Sequence, residues 1–300
     1  KTETASSSTT VVTSFYPIYD FATQVAKGTQ TQIINLTPAG TEPHDFEPST
    51  KAIASIYNAD AFIFNGADLD AWAEKLHEDV EAKGVKTLEM SSVISLIGTE
   101  EEGHEEENHE DEEGHHEEEH SHGEFDPHFW LDPLNAVKQI EAIATLLSEI
   151  DPENVATYSS NAKDAVTNLL TLDKKYTAAL ASCKLDTTFA SHAAFNYLAN
   201  RYGFKVESIA GFSPDEEPTA AKLAELSNEV KAKGVKYIFT ETLVSPKLAE
   251  TLAQETGAKT LVFNPIEGLT TQEINSGKTY LSIMEENLVS LTTALNCSNE

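Results

Sequence analysis

Residues 152–182 form a long apolar pattern that no glycine or later proline interrupts. Proline is tolerated in the first turn of a helix, so Pro152 is compatible with a helix start. Apolar side chains recur at steps of three and four residues, which is the period of an amphipathic helix. They are Val155, Tyr158, Ala162, Ala165, Leu169, Leu172, Tyr176 and Leu180. At 1.5 Å per residue such a helix is about 45 Å long, more than one lobe needs. We therefore expect a rod that joins two lobes.

Short apolar segments alternate with helical segments on both sides of this rod. Ala61–Phe64 is fully apolar, as in a parallel strand covered on both faces, and a helix is predicted to follow over 69–82. Later helices are expected to end at Gly203, Gly234 and Gly257, where glycine suits the left-handed position after a helix. Repeated strand–helix units predict an α/β fold with a parallel sheet in each lobe. The predicted parts are an N-terminal lobe (10–150), a connecting helix (151–182) and a C-terminal lobe (183–300).

An acidic, histidine-rich segment interrupts the first lobe at residues 100–124. It holds 14 of the 50 acidic residues, and no lysine or arginine occurs between Thr87 and Val137. Like charges at this density predict a loop that stays extended and disordered without metal. Its histidines, which could form secondary weak metal sites, are His104, His109, His115, His116, His120 and His122.

The ends and the charge of the chain indicate an exported, cation-attracting protein. Residues 1–9 are polar and rich in serine and threonine, which predicts a flexible tether on a mature chain. No apolar run approaches the roughly 18–20 residues of a membrane span. The net charge is −30, and it is still −16 without the loop. Such a chain should repel nucleic acid and attract cations.

Two cysteines, Cys183 and Cys297, lack the spacing of a zinc ribbon. They are either two buried thiols or one disulfide. A disulfide would fit an exported protein, and both positions stand at expected element ends.

Three isolated histidines stand near junctions between loops and regular elements: His44, His128 and His192. In open parallel sheets, ligands bind outside the carboxyl ends of the strands, so these rings are expected to face one cleft. Two come from the first lobe and one from the second. Glu267 is the candidate for a fourth ligand, and Glu241 or water is the competitor.

Three imidazoles and one carboxylate form a nitrogen-rich donor set that suits tetrahedral Zn²⁺. Mn²⁺ and Mg²⁺ prefer more oxygen ligands, whereas Cu²⁺ and Ni²⁺ often bind such sites more tightly. The histidines are separated by 84 and 64 residues, so no short motif supports the set. Each of them can equally be an ordinary polar loop residue.

Several segments together resemble one known family, the zinc-binding solute receptors of ABC importers (ZnuA/AdcA-like, cluster A-I). The resemblance covers nearly all of residues 10–296 in order. Its clearest motifs are Glu-Pro-His-Asp at 42–45, Asp-Pro-His-Phe-Trp at 126–130 and Ser-His-Ala-Ala at 191–194. The segments 13–19, 211–218 and 264–270 extend it.

The resemblance implies that His44, His128 and His192 are the first three ligands. Manganese-type relatives carry a carboxylate at the third place, so His192 favours zinc. Some members have Asp-Pro where this chain has Asn264 before a proline, which leaves Glu267 as the expected fourth ligand. The implied function is capture of Zn²⁺ between two lobes and its delivery to a membrane permease of an ABC transporter. The implied protein is a monomeric, non-enzymatic receptor, periplasmic or at the extracytoplasmic cell surface, with a lipid anchor as an open question.

Alternatives remain at this stage. The loop 100–124 matches the family's acidic histidine-rich insertion, and it can be a weak zinc scavenger, a sensor of high zinc or a passive insert. The chain can also be a receptor for manganese or another divalent metal, a metal-storage protein, or a zinc hydrolase. A hydrolase needs an open position on the metal, and no His-Glu-x-x-His pattern occurs.

Overall fold

A computed structural model describes residues 9–98 and 125–298. The acidic segment and nearly all of the predicted tether therefore lie outside the described residues. The same holds for the six loop histidines, His104, His109, His115, His116, His120 and His122. In the part of the chain that is described, no helix has both the length and the apolarity to cross a membrane.

A four-stranded parallel sheet forms the first half of the molecule, with strand order β2-β1-β3-β4. Its strands are β1 (Thr10–Thr13), β2 (Gln32–Asn35), β3 (Ala61–Phe64) and β4 (Lys86–Glu89). Val12 of β1 is paired with Ile34 on one side and Phe62 on the other, so β1 and β3 are interior strands. Both are almost wholly buried, as the apolar sequence of β3 predicts. The accompanying helices are α1 (Tyr16–Ala26), α2 (Thr50–Tyr57), α3 (Ala71–Glu74) and α4 (His77–Ala82).

The predicted continuous helix over 69–82 is wrong, because the chain forms two short helices, α3 and α4, instead. Side chains compete with the helical hydrogen bonds at both places where the prediction fails. The carboxylate of Asp70 accepts from the backbone N–H groups of Asn65 and Gly66, so it holds the preceding turn. At the break, His77 Nδ1 donates to the carbonyl of Glu74 at 2.7 Å.

Two long helices connect the halves: α5 (Pro133–Ile150) and α6 (Val155–Leu180). The rod predicted for 151–182 is present as α6, 26 residues long, after a separate 3-10 turn at Pro152–Asn154. Six positions of the predicted stripe are buried: Tyr158, Ala162, Ala165, Leu169, Leu172 and Tyr176. The helix packs against α5 and α1 along this stripe.

The second half contains two parallel strand pairs that lie side by side, with β5 beside β7. The strands are β5 (Thr187–Ala190), β6 (Lys205–Ser208), β7 (Tyr237–Thr240) and β8 (Lys259–Val262). The helices are α7 (Asn196–Tyr202), α8 (Ala220–Lys233), α9 (Lys247–Thr256), α10 (Thr271–Asn275) and α11 (Tyr280–Ala294). As expected, α7, α8 and α9 end at glycines in the left-handed conformation.

A disulfide joins Cys183, just after α6, to Cys297, just after α11. Backbone hydrogen bonds run alongside it, from Lys184 N–H to the carbonyl of Asn296 and from Leu185 N–H to that of Leu295. The bond therefore ties the segment after the last helix to the end of the connecting helix.

Trp130 joins the two halves within one continuous core. Its ring packs edge-on against Phe15 of the first half, with centroids 4.9 Å apart. Its indole N–H donates to the carbonyl of Pro265 at 2.8 Å, and its own carbonyl accepts from the Tyr280 hydroxyl at 2.6 Å. The fully buried indole therefore restricts how far the halves can separate.

Candidate metal centre

Four side chains with metal-ligand chemistry meet where loops leave the carboxyl ends of the strands. His44 lies in the loop after β2, and His128 directly precedes a 3-10 turn at Phe129–Leu131. His192 is two residues beyond β5, and Glu267 lies in the loop after β8. Two of the side chains come from each half, so the cluster lies in the cleft between them. The structure therefore brings together all four residues that the sequence analysis selected.

The ligand-type atoms of the cluster are close to one another. His128 Nε2 lies 3.2 Å from His44 Nε2 and 3.3 Å from His192 Nε2. Glu267 Oε1 lies 3.1 Å from His192 Nε2, 3.3 Å from His128 Nε2 and 3.5 Å from His44 Nε2. All four atoms lie within 4.8 Å of one another. Five of the six distances between these atoms are 3.1–3.5 Å. A regular tetrahedron with edges near 3.3 Å has its centre about 2.0 Å from each corner, which is a zinc–nitrogen bond length.

The cluster is almost completely enclosed by protein. The side chains of His128 and His192 are 0% exposed and that of Glu267 is 1% exposed, whereas His44 is 10% exposed. Among the described residues, the second oxygen of Glu267, Oε2, is buried without a hydrogen-bond partner. A buried carboxylate oxygen without a donor is costly, and a cation would compensate it. The donor set, its spacing and its enclosure therefore fit a tetrahedral metal ion.

Asp126 orients the ring of His128. Its Oδ1 accepts from His128 Nδ1 at 2.8 Å and from the His128 backbone N–H at 2.9 Å. Because Nδ1 donates to the carboxylate, Nε2 is free to face the centre of the cluster.

Glu241 performs the same task for His192. Its carboxylate lies 2.8 and 2.9 Å from Nδ1, on the side of the ring opposite Nε2. The sequence offered Glu267 and Glu241 as candidates for the fourth ligand. Glu267 lies in the cluster, whereas Glu241 contacts Nδ1 of His192 on the side facing away from the cluster.

A repeated acid-Pro-His pattern is a signal that the sequence analysis missed. It occurs at Glu42–His44 and at Asp126–His128, and in both cases the acid accepts from the histidine backbone N–H. Acidic side chains commonly accept from the backbone two residues further on, and the intervening proline restricts the turn. The pattern therefore fixes the backbone turn that carries each histidine of the first half, His44 and His128.

The loop that carries Glu267 has an unusual backbone. Ile266 is fully buried and has a φ of 61°, which is rare for a β-branched residue. The Asn264 side chain accepts from the Ile266 N–H at 2.8 Å, so it holds this turn and does not enter the cluster. Trp130 holds the carbonyl of Pro265. Together these contacts direct the Glu267 carboxylate at the three imidazoles.

Opposite charges dominate the cluster. Burial lowers the pKa of His192, but the carboxylates of Glu241 and Glu267 outweigh burial and hold that pKa well above its usual value. Burial likewise raises the pKa of Glu267, yet His192 and the hydrogen bonds from His128 and His44 hold it well below its usual range. Burial and the nearby Glu267 raise the pKa of Glu42 to about 9. The His192 imidazole and the Glu267 carboxylate therefore stabilise each other's charged forms.

Fold and site together define a two-lobed α/β protein with a candidate cation site in the cleft. The chain belongs to the family described as zinc-uptake complex component A, periplasmic, whose family model matches residues 11–294. This match confirms the resemblance and the fold class that the sequence predicts.

Individual relatives agree with this assignment. The zinc-binding lipoprotein AdcA of Streptococcus pneumoniae is 43% identical over 283 residues, covering 94% of this chain and 54% of the relative. The high-affinity zinc uptake system protein ZnuA of Bacillus subtilis is 40% identical over 285 residues, covering 95% of this chain and 87% of the relative. The Zn(II)-bound ZnuA-like domain of S. pneumoniae AdcA superimposes with a TM-score of 0.80 at 39% identity, covering 97% of this chain and all of that domain. This chain spans about half the length of the AdcA relatives.

Proposed function

We propose that this chain is the zinc-binding receptor of an ABC-type zinc uptake system. It captures Zn²⁺ with His44, His128, His192 and Glu267 and delivers the ion to a membrane permease. The observation that carries the proposal is the largely buried cluster in which three Nε2 atoms and one carboxylate oxygen lie within 4.8 Å of one another. The zinc-binding names of relatives that match nearly the whole chain support it.

The proposed ligand set favours a carrier over an enzyme. Catalytic zinc sites keep a position open for water or substrate, whereas four protein ligands close the coordination sphere. Glu241 is hydrogen-bonded to His192, so it is not free to act as a base on a metal-bound water. The chain therefore binds and releases the ion without chemical conversion.

Release requires only a limited movement. His44 is the one partly exposed side chain among the four proposed ligands. It lies within the long loop that joins β2 to α2. Because the halves share the core around Trp130, movement of this loop or a small hinge motion opens the site. The docked permease supplies the energy for that movement.

The proposed setting is outside the cytoplasm, in the periplasm or at the cell surface, with or without a lipid anchor. A disulfide fits that compartment, because such bonds persist in oxidising environments. The net charge of −30 favours cations and disfavours nucleic acid as a partner. We further propose that the receptor acts as a monomer, since one chain supplies all four ligands.

Calorimetric titration of the metal-free protein with Zn²⁺ and Mn²⁺ tests the proposal. We expect one tight zinc site, much weaker manganese binding, and loss of the tight site in His128→Ala and His192→Ala. His77→Ala is the matched control, because His77 lies on α4, outside the cluster. Unchanged zinc affinity in both cluster variants, with the fold intact, would refute the proposal.

A further inference from the structure

We propose that Asn196, the first residue of α7, is a positioning residue that holds two of the candidate zinc ligands in register across the cleft. The inference rests on the proposed function and adds to it a residue that does not touch the ion. Asn196 belongs to the second half of the chain, but it acts on a ligand loop of the first half.

The side-chain amide of Asn196 bridges the two loops that carry His128 and His192. Its Nδ2 donates to Asp126 Oδ2 at 3.0 Å and to the carbonyl of Ala193 at 3.2 Å. Asp126 uses its other oxygen, Oδ1, to hold the ring of His128. Ala193 directly follows His192 in the sequence. The amide of Asn196 therefore connects the loop of His128 in the first half to the loop of His192 in the second half.

Tyr197 reinforces the same connection from the next position. Its hydroxyl donates to the backbone carbonyl of Asp126 at 3.0 Å and accepts from the N–H of Ile97 at 2.9 Å. The Tyr197 side chain is buried, and its ring packs edge-on against Phe129. Helix α7 thus holds Asp126 by its carboxylate and by its backbone. Because Asp126 Oδ1 accepts a hydrogen bond from His128 Nδ1, this constraint extends to the His128 ring.

This connection matters because a tetrahedral ion requires all four donor atoms at nearly fixed positions. Partners that orient a metal ligand typically change metal affinity by 10- to 100-fold when they are removed. An amide is suited to the task, because it presents N–H groups to a carboxylate and to a carbonyl, which both only accept. A carboxylate at position 196 would instead repel Asp126.

A matched pair of variants separates this role from ordinary stabilisation. Asn196→Ala removes two amide hydrogen bonds next to the cluster. Asn161→Ala removes two of the same kind far from it, because Asn161 Nδ2 donates to the carbonyls of Val25 and Lys27 at 2.9 and 2.8 Å. We expect zinc affinity, measured by chelator competition, to fall 10- to 100-fold in Asn196→Ala and to stay unchanged in Asn161→Ala. Thermal melting of both metal-free variants checks that the fold is retained.

A double-mutant cycle shows whether Asn196 acts through Asp126, the carboxylate that holds the His128 ring. In an Asp126→Ala background, Asn196→Ala should cause little further loss of zinc affinity. A full additional loss in that background would overturn the inference, as would unchanged affinity of the single variant.

Tyr197→Phe is the second variant, because it removes one hydroxyl without opening a cavity. Tyr176→Phe is its control, since the Tyr176 hydroxyl donates to the buried carbonyl of Met284, away from the site. We expect weaker zinc binding in Tyr197→Phe alone, and equal affinities in the two variants would count against the inference. If the unsubstituted chain binds no zinc tightly, the proposed function fails and the inference fails with it. Tight binding that ignores Asn196 overturns the inference alone.

Discussion

A carboxylate holds the ring of His128, and another holds the ring of His192. In both cases it binds Nδ1, on the side of the ring that faces away from the cluster. Asp126 accepts from His128 Nδ1 and Glu241 accepts from His192 Nδ1. These partners select the tautomer that leaves Nε2 free for a metal, and their charge raises the basicity of the ring. We therefore expect the zinc affinity of the proposed site to depend also on these two carboxylates, which are not ligands.

Glu241→Gln tests this dependence. A glutamine oxygen can still accept from His192 Nδ1, but the negative charge that strengthens the ring as a ligand is lost. We expect zinc affinity to fall by about 10- to 100-fold with little change in thermal stability. Chelator competition measures the affinity, and Glu285→Gln is the control, because the Glu285 side chain on α11 is exposed. Equal affinities in the two variants would contradict the assigned role.

Zinc binding should release protons. Although burial lowers the pKa of His192, Glu241 and Glu267 outweigh burial and hold the pKa well above its usual value, so this ring is protonated near neutral pH without metal. A ligand imidazole must be neutral, so the ion displaces that proton and affinity falls as the pH is lowered. Calorimetry in buffers with different ionisation enthalpies measures the number of protons released. A binding enthalpy that does not vary with the buffer would contradict this expectation.

The sequence predicts the three histidine ligands because His44 and His192 follow strand ends and all three match family motifs. Strand position alone does not decide between Glu267 and Glu241, because both carboxylates follow strands of the second half, and only the family resemblance favours Glu267. The decision depends on the turn at Ile266, whose φ of 61° could not be expected for an isoleucine. It depends equally on contacts from Trp130, 135 residues away in the sequence.

Helices and strands are predicted best where the local signals are strong. Helix α5 begins at Pro133, directly after the capping residue Asp132, and both start signals are visible in the sequence. Helix α10 likewise begins with a capping box of Thr270 and Glu273 that is visible in the sequence. The break between α3 and α4 could not be predicted, because it depends on side-chain-to-backbone hydrogen bonds.

The disulfide should contribute to stability and not to zinc binding. It connects residues 114 positions apart, and closing a loop of that order restricts the unfolded chain by about 4–5 kcal/mol in the chain-entropy model. The flanking backbone hydrogen bonds retain the local geometry without it. We expect the paired Cys183→Ser and Cys297→Ser substitutions to lower the free energy of unfolding of the metal-free protein by about 2–5 kcal/mol, measured by denaturant titration. Zinc affinity should stay unchanged, and a loss of the tight site would contradict this division of roles.

At the scale of the whole molecule, the two described segments that flank the acidic insertion lie next to each other. The ends of the insertion meet in a short antiparallel bridge between Gly98 and Phe125, and Asp126 N–H donates to the carbonyl of Ile97 at 2.9 Å. Because the bridge brings these ends together, a short turn can replace the insertion without moving Asp126. We therefore expect the proposed zinc site to keep its geometry without the insertion.

Replacement of 99–124 by a two-residue Asn-Gly turn tests the proposed role of the insertion as a weak zinc scavenger. We expect zinc titration to show that weak additional binding disappears while the tight site keeps its affinity. The unsubstituted chain, titrated in parallel, is the control. If the tight site is lost with the fold intact, the insertion contributes to it directly and the scavenger proposal is wrong.

An anomalous difference map from crystals of the zinc-loaded protein, collected on both sides of the zinc edge, tests the proposed cation site without mutation. We expect one strong peak in the cleft, about 2.0–2.2 Å from Nε2 of His44, His128 and His192 and from a carboxylate oxygen of Glu267. A zinc-loaded crystal without a peak there, or with those three rings turned apart, would contradict it.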